Sequence, residues 1–189
     1  MKLGALLIRG VVGPLFIGHG TQKLFGWFGG HGIEGTGGFF ESLGLRPGKR
    51  HATAAGAAEA GGGLLLTLGM LTPVAATMIS STMITAIRKV HAEKGPWVTD
   101  GGYEYNAVII ATMAAITETG PGPLSVDEAL FPSLKGTGWA AFQLGAALAG
   151  SYLATSSRMI EPAAEEQPDG ASTATSNGGA AAEQQVTTA

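Results

Sequence analysis

Between Ala52 and Ile87 the chain runs 36 residues with a single charged side chain, Glu59, and with a Thr72-Pro73 step near its middle. As one helix this stretch would extend about 54 Å, far beyond the ~30 Å hydrocarbon layer of a bilayer. Proline cannot continue a helix but can begin one, so the step divides the stretch into two segments of about 20 residues, each long enough to cross a membrane. The spacing therefore predicts an integral membrane protein. Its few intramembrane charges are the first place to look for function.

Composition agrees. Charged residues make up 13% of the 189 residues, against about 25% in a soluble domain. Cysteine is absent, which excludes disulfides, thiol chemistry and thiolate metal sites. The stretch 161–189 has five acids, no base and no aromatic residue. It cannot bury enough apolar surface to offset its ordering entropy, and is expected to be disordered. Without it, nine acids face eleven bases, a balance that does not point to nucleic acid.

Five hydrophobic segments are expected, at 3–28, 52–71, 73–91, 104–118 and 136–157. The apolar start resembles a signal peptide only briefly, because Arg9 interrupts it and the run continues to Phe28; it reads as a retained span. The fourth segment is short for a full span and would need local thinning of the bilayer. In the fifth, Trp139 and Tyr152 suit interfacial anchors. Glycine and alanine crowd the second segment, which predicts close helix packing in a compact bundle. The fold class is thus an all-α membrane protein, a four-helix transmembrane bundle plus a fifth transmembrane helix and a disordered C-terminal tail. Its divisions are a core at 1–130, an added helix at 131–158 and an acidic tail at 159–189.

On a helical wheel Arg9, Val12, Phe16, His19 and Lys23 fall within about 80°. A stripe with three ionisable groups should face the bundle rather than lipid. Glu59 needs a partner. In an antiparallel pair the start of the second helix lies beside the end of the first, which sets Glu59 near Lys23 and His19. Arg9, about 15 Å away along the axis, is then expected to reach Glu104, Glu118 or the far headgroups. Such a cluster is read either as a buried ion pair that fixes packing or as a pocket for a small redox or acidic ligand.

The glycine- and aromatic-rich stretch after the first segment lacks a phosphate-loop pattern. Gly30, Gly32 and Gly35 match a dinucleotide spacing but follow a membrane helix, not a strand. An interfacial or re-entrant segment with Trp27, Phe28, Phe39 and Phe40 at headgroup depth fits better. The histidines show no metal-ligand spacing, and no GxSxG motif is present.

The run HGTQKLFGWFGGHGIEGTGGFFESLGLRPG, the run AAGAAEAGGGLLLTLGMLTPVAA and the run DGGYEYNAVIIATMAAITETGPGPLSVDEAL together resemble the DoxX family of small bacterial membrane proteins. The motif carries onto Arg9, His19, Gly20, Lys23, Gly32, Gly35, Thr36, Glu59, Gly62, Thr72, Pro73, Glu104 and Asp127. His31 departs from the family's pattern and is given no role. The resemblance implies a multi-pass protein of the bacterial plasma membrane, with lipid and the subunits of a redox or oxidative-stress complex as partners. Arg9, His19, Lys23, Glu59 and Glu104 are the candidate ligand-binding residues, and quinone is the candidate ligand. A non-enzymatic scaffold or a small-solute carrier is the alternative.

Seven of the eleven basic residues lie at 23, 46–50 and 88–94, on one side if the second and third segments form a hairpin. The positive-inside rule makes that side cytoplasmic. Single cysteines at Ser42 and Thr99 are therefore expected to resist a membrane-impermeant maleimide in intact cells. Labelling of both from outside would reverse the orientation.

Overall fold

The computed structural model describes residues 3–156, so the expected tail at 159–189 lies outside the described residues. Within them the chain is all-helical, with α1 (Leu3–Phe25), α2 (Gly32–Ser42), α3 (Gly48–Leu68), α4 (Thr72–Ala86), α5 (Glu104–Thr119), α6 (Val126–Leu130) and α7 (Thr137–Ser156). The five long helices fall on the five hydrophobic segments. α4 continues through a π-helical turn, Ile87–His91, and a 3-10 turn, Ala92–Lys94. α1 packs on α3, α3 on α4, and α4 on α5 and α7. The apolar centre is small, built around Phe16, Leu66, Ile79, Met113 and Ile116.

The stretch expected to be an interfacial or re-entrant segment is a 3-10 turn at Trp27–Gly29 followed by α2. Thr36 and Gly37 are buried on α2, and Gly37 comes so near the Lys49 backbone that a Cβ there would lie 3.0 Å from Lys49 N. Tertiary contact with the start of α3 thus outweighs the weak helix propensity of glycine.

α1 and α3 approach backbone to backbone. A Cβ on Gly63 would lie 2.6 Å from the Gly13 carbonyl oxygen and 2.7 Å from Ile17 N. One on Gly20 would lie 2.5 Å from the Gly56 carbonyl oxygen. Gly13 is thus opposite Gly63, and Gly20 opposite Gly56, so the two helices run antiparallel. This is the small-residue packing by which helices associate when lipid supplies no hydrophobic drive.

The α3–α4 turn sits where the Thr72-Pro73 step predicts, with Pro73 in the first turn of α4. Gly69 ends α3 at φ 60°, and Leu71 holds φ 47°, a region costly for a branched side chain. Asp127, fully buried at the start of α6, holds that geometry. Its two carboxylate oxygens accept the Leu71 and Thr72 N–H groups, each at 2.7 Å, and its own N–H donates to the Gly69 carbonyl at 2.9 Å. A carboxylate on the first N–H groups of a helix satisfies orphan donors and complements the helix dipole.

The radial distribution is inverted relative to a water-soluble bundle. Leu7, Val11, Leu15, Leu64, Val108, Phe142, Leu148 and Leu153 are exposed, whereas Ser80, Asn106, Thr117, Gln143 and Ser151 are buried. α7 attaches to α4 by polar contacts: Gln143 Nε2 donates to Ser80 Oγ at 2.9 Å and to the Ala76 carbonyl at 3.2 Å. Arg88 donates to Ser151 and Thr155.

Five spans were expected, but among the described residues one helix, α1, is long and apolar enough to cross a membrane on length and composition alone. α4 and α5 have 15 and 16 residues, each under 25 Å long by about 1.5 Å per residue. α3 and α7 have 21 and 20 residues, but their inner faces are glycine, alanine and hydroxyl residues that dilute the mean hydropathy.

Two substitutions test this packing by thermal unfolding in mild detergent. Gly63→Ala drives a methyl into the α1 backbone and is expected to cost about 2 kcal/mol. Gly10→Ala, whose Cβ would meet nothing within 4 Å, should leave stability unchanged or raise it by up to ~1 kcal/mol. Asp127→Asn strands one of two buried N–H groups and should cost about 3 kcal/mol, read in the same assay.

Candidate functional site

Because α1 and α3 are antiparallel and in close contact, the last turn of α1 faces the middle of α3. Lys23 Nζ donates to Glu59 Oε2 at 2.6 Å. Glu59 is 4% exposed, and the Lys23 side chain, at 25%, reaches partly outward. Lys23 lies in the last turn of α1, where the helix dipole also favours a cation. A carboxylate in this setting, among glycine and alanine, requires such a partner.

The pair lines a cavity of about 400 Å³. His19 stands beside it on α1, with Nδ1 3.2 Å from Gln22 Oε1 and its ring edge-on to Phe16 at 6.0 Å between centroids. Phe16, Phe40, Leu45 and Met83 supply apolar walls, and Tyr105 and Asn106 enter from α5. Asn106 is buried, and its Nδ2 donates to Met83 Sδ at 3.3 Å. Lys89 and His91 close the rim from the π-helical turn. His91 Nδ1 lies 2.6 Å from the Gly101 carbonyl oxygen, which ties the rim to the α4–α5 connection. A π turn is a frequent mark of functional sites, since its extra residue re-aims the side chains around it.

Three of the five candidates, His19, Lys23 and Glu59, therefore line one cavity. The other two do not. Arg9 was expected to reach Glu104, Glu118 or the far headgroups; it is 5% exposed at the opposite end of α1. Its Nη1 donates to the Pro121 carbonyl at 3.1 Å and its Nη2 to the Thr67 carbonyl at 3.0 Å. The guanidinium lies so close to Gly69 that a Cβ there would sit 2.9 Å from Arg9 Cζ. Arg9 thus braces the α3–α4 turn that Asp127 caps, because carbonyls left free at the end of α3 are nearer than any α5 acid. Glu104 folds back on its own approach loop, accepting the Val98 N–H at 3.0 Å. Glu118 accepts from Thr137 Oγ1 at 2.9 Å and joins α5 to α7.

Sequence reasoning missed Lys89, His91 and Asn106. The first two lie in a basic cluster that reads as a topology signal. Asn106 is the one amide in an otherwise apolar helical run, a signal that could have placed it inward. Among the described residues no group of histidines and acids has the arrangement of a metal site.

No solved structure matches the chain. The protein described as "Putative oxidoreductase CatD" from Bacillus subtilis (strain 168) is 31% identical over 134 residues, covering 71% of this chain and 92% of that protein. The DoxX family model matches residues 4–92, a span that runs from α1 through the π-helical turn and contains His19, Lys23 and Glu59. With the relative aligned over nearly its whole length, the chain belongs to the DoxX family.

Proposed function

We propose that the protein is a multi-pass component of a redox complex in the bacterial cell membrane, and that it contacts a quinone in the cavity lined by His19, Lys23 and Glu59. The observation that carries this reading is a cavity of about 400 Å³ with mainly apolar walls and one buried ion pair at 2.6 Å. Apolar pockets with a few convergent polar groups are where amphipathic ligands bind. The inverted bundle supports the membrane setting: lipid solvates the outer leucine and phenylalanine side chains, and the polar groups satisfy one another inside. The short helices α4 and α5 then require local thinning of the bilayer. The likeness to a protein described as an oxidoreductase supports the redox assignment.

In this reading Lys23 presents a fixed positive charge to a ligand oxygen that gains negative charge on reduction. His19, at the exposed end of the stripe, exchanges the proton with the aqueous side. Glu59 holds the ammonium in place between ligand and helix end. The electrons for that reduction come from a partner subunit of the complex or a cofactor it carries, since the chain has no thiol to supply them.

The second reading, a scaffold or small-solute carrier, is favoured by the direct 2.6 Å contact between Lys23 and Glu59, which by itself satisfies the buried carboxylate and ties α1 to α3. Complementation under peroxide or thiol stress separates the two, with membrane levels measured in parallel. His19→Ala with Glu59→Gln is expected to insert at normal levels and to lose quinone binding and oxidant tolerance at least tenfold. Full complementation by the well-inserted double variant would sink the site and leave a structural pair. In that event Glu59→Gln alone should cost about 3 kcal/mol, and Lys23→Met added to it should restore much of the loss.

A further inference from the structure

Beside the principal cavity lies a second chamber of about 220 Å³, between α3, α4 and α7. Phe40, Leu45, Ala55, Thr82 and Thr85 wall both spaces. His51, in the first turn of α3, lines the second alone. It is 5% exposed, and its Nε2 is buried with no hydrogen-bond partner among the described residues. A buried polar nitrogen left unpaired is costly, and native structures rarely carry one without a reason.

We propose that His51 is a ligand-binding residue and that this chamber takes a small neutral molecule with one apolar ring and one hydroxyl group, a phenol. Three features select that chemistry. No acid, lysine or arginine lines the chamber, so a charged ligand would enter without a counter-charge. The remaining surface around His51 is Phe40, Leu45 and four alanines, with Ser81, Thr82 and Thr85 along the α4 side. Thr82 and Thr85 already donate to backbone carbonyls, of Ile79 and Ser81 respectively, each at 2.8 Å, which leaves His51 Nε2 and the Ser81 hydroxyl as the groups that can pair with a ligand hydroxyl. A hydroxyl satisfies Nε2 in either tautomer, because it donates to a bare nitrogen and accepts from an N–H. At about 220 Å³ the chamber is below the usual range of drug-sized pockets, about 300–1,000 Å³, and suits one ring. An apolar molecule can reach it from between α3 and α7, helices that Ala154 of α7 brings to the same chamber.

This assignment does not rest on quinone binding in the neighbouring cavity. Its test uses the full chain in lipid nanodiscs with ¹⁵N-labelled imidazoles, titrated with phenol. Of the four histidines, one Nε2 resonance should shift saturably, and the shift should vanish in His51→Leu. The unchanged resonances of His19 and His91 report that this variant is folded. Ala58→Phe fills the chamber but retains His51, and should weaken the saturable shift at least tenfold. Toluene, the same ring without the hydroxyl oxygen, should bind at least tenfold more weakly than phenol. A response that only rises linearly with phenol, a shift centred on His19 or His91, an unaltered titration in Ala58→Phe, or equal binding of toluene would each overturn the proposal.

Discussion

The contact on which the rest depends is the glycine-to-glycine approach of α1 and α3. Gly13 against Gly63 and Gly20 against Gly56 are spaced alike on the two helices, so they fix direction, register and separation together. Once the register is set, the functional and structural charges have their partners. The end of α1 brings Lys23 to Glu59, and the start of α1 brings Arg9 to the Thr67 carbonyl. Neither contact could form if the helix axes stood apart by the width of a leucine. The same approach leaves no room for a ligand along the α1–α3 interface, so the cavities lie beside it rather than within it.

The two ends of the bundle treat charge differently. At the α3–α4 turn, Arg9 and Asp127 spend their hydrogen bonds on backbone groups: carbonyls for the cation, N–H groups for the anion. Every bond there stabilises a turn that includes a left-handed leucine. At the other end, the Lys23–Glu59 pair is side chain to side chain, with open volume beside it. A charge bonded to backbone is fixed by the fold. A charge bonded to another side chain can be re-partnered by a ligand, and this difference is the physical ground for the proposed site at the Lys23–Glu59 end.

Much of this was legible in the chain. The Thr72-Pro73 step marks the hairpin because proline tolerates only the first turn of a helix. The five apolar stretches become the five long helices. The antiparallel pairing argument also gives the neighbourhood of Glu59, although α1 and α3 are joined through α2 rather than by a short connection. What the sequence did not reveal is set by tertiary contact. Arg9 chooses carbonyls whose position depends on where α3 ends. Glu104 is drawn into a loop by Val98. α2 forms from a glycine-rich stretch because it packs on α3. His51 reads as an unremarkable histidine in a basic loop until burial leaves its nitrogen without a partner. The five long helices were legible by break and length, but among the described residues α1 alone has the length and hydropathy of a span, because α4 and α5 are short and α3 and α7 bury glycine, alanine and polar side chains.

The inverted surface has a consequence for how such chains diverge. The outward leucines of α1 and α7 are exposed and pack on little else in the chain, so one can be exchanged for valine, isoleucine or phenylalanine with little effect on the fold. The inner faces tolerate far less: Gly63 has no space for one methyl group, and Gln143 serves two acceptors at once. Drift will therefore accumulate on the outside of the bundle and stall within it.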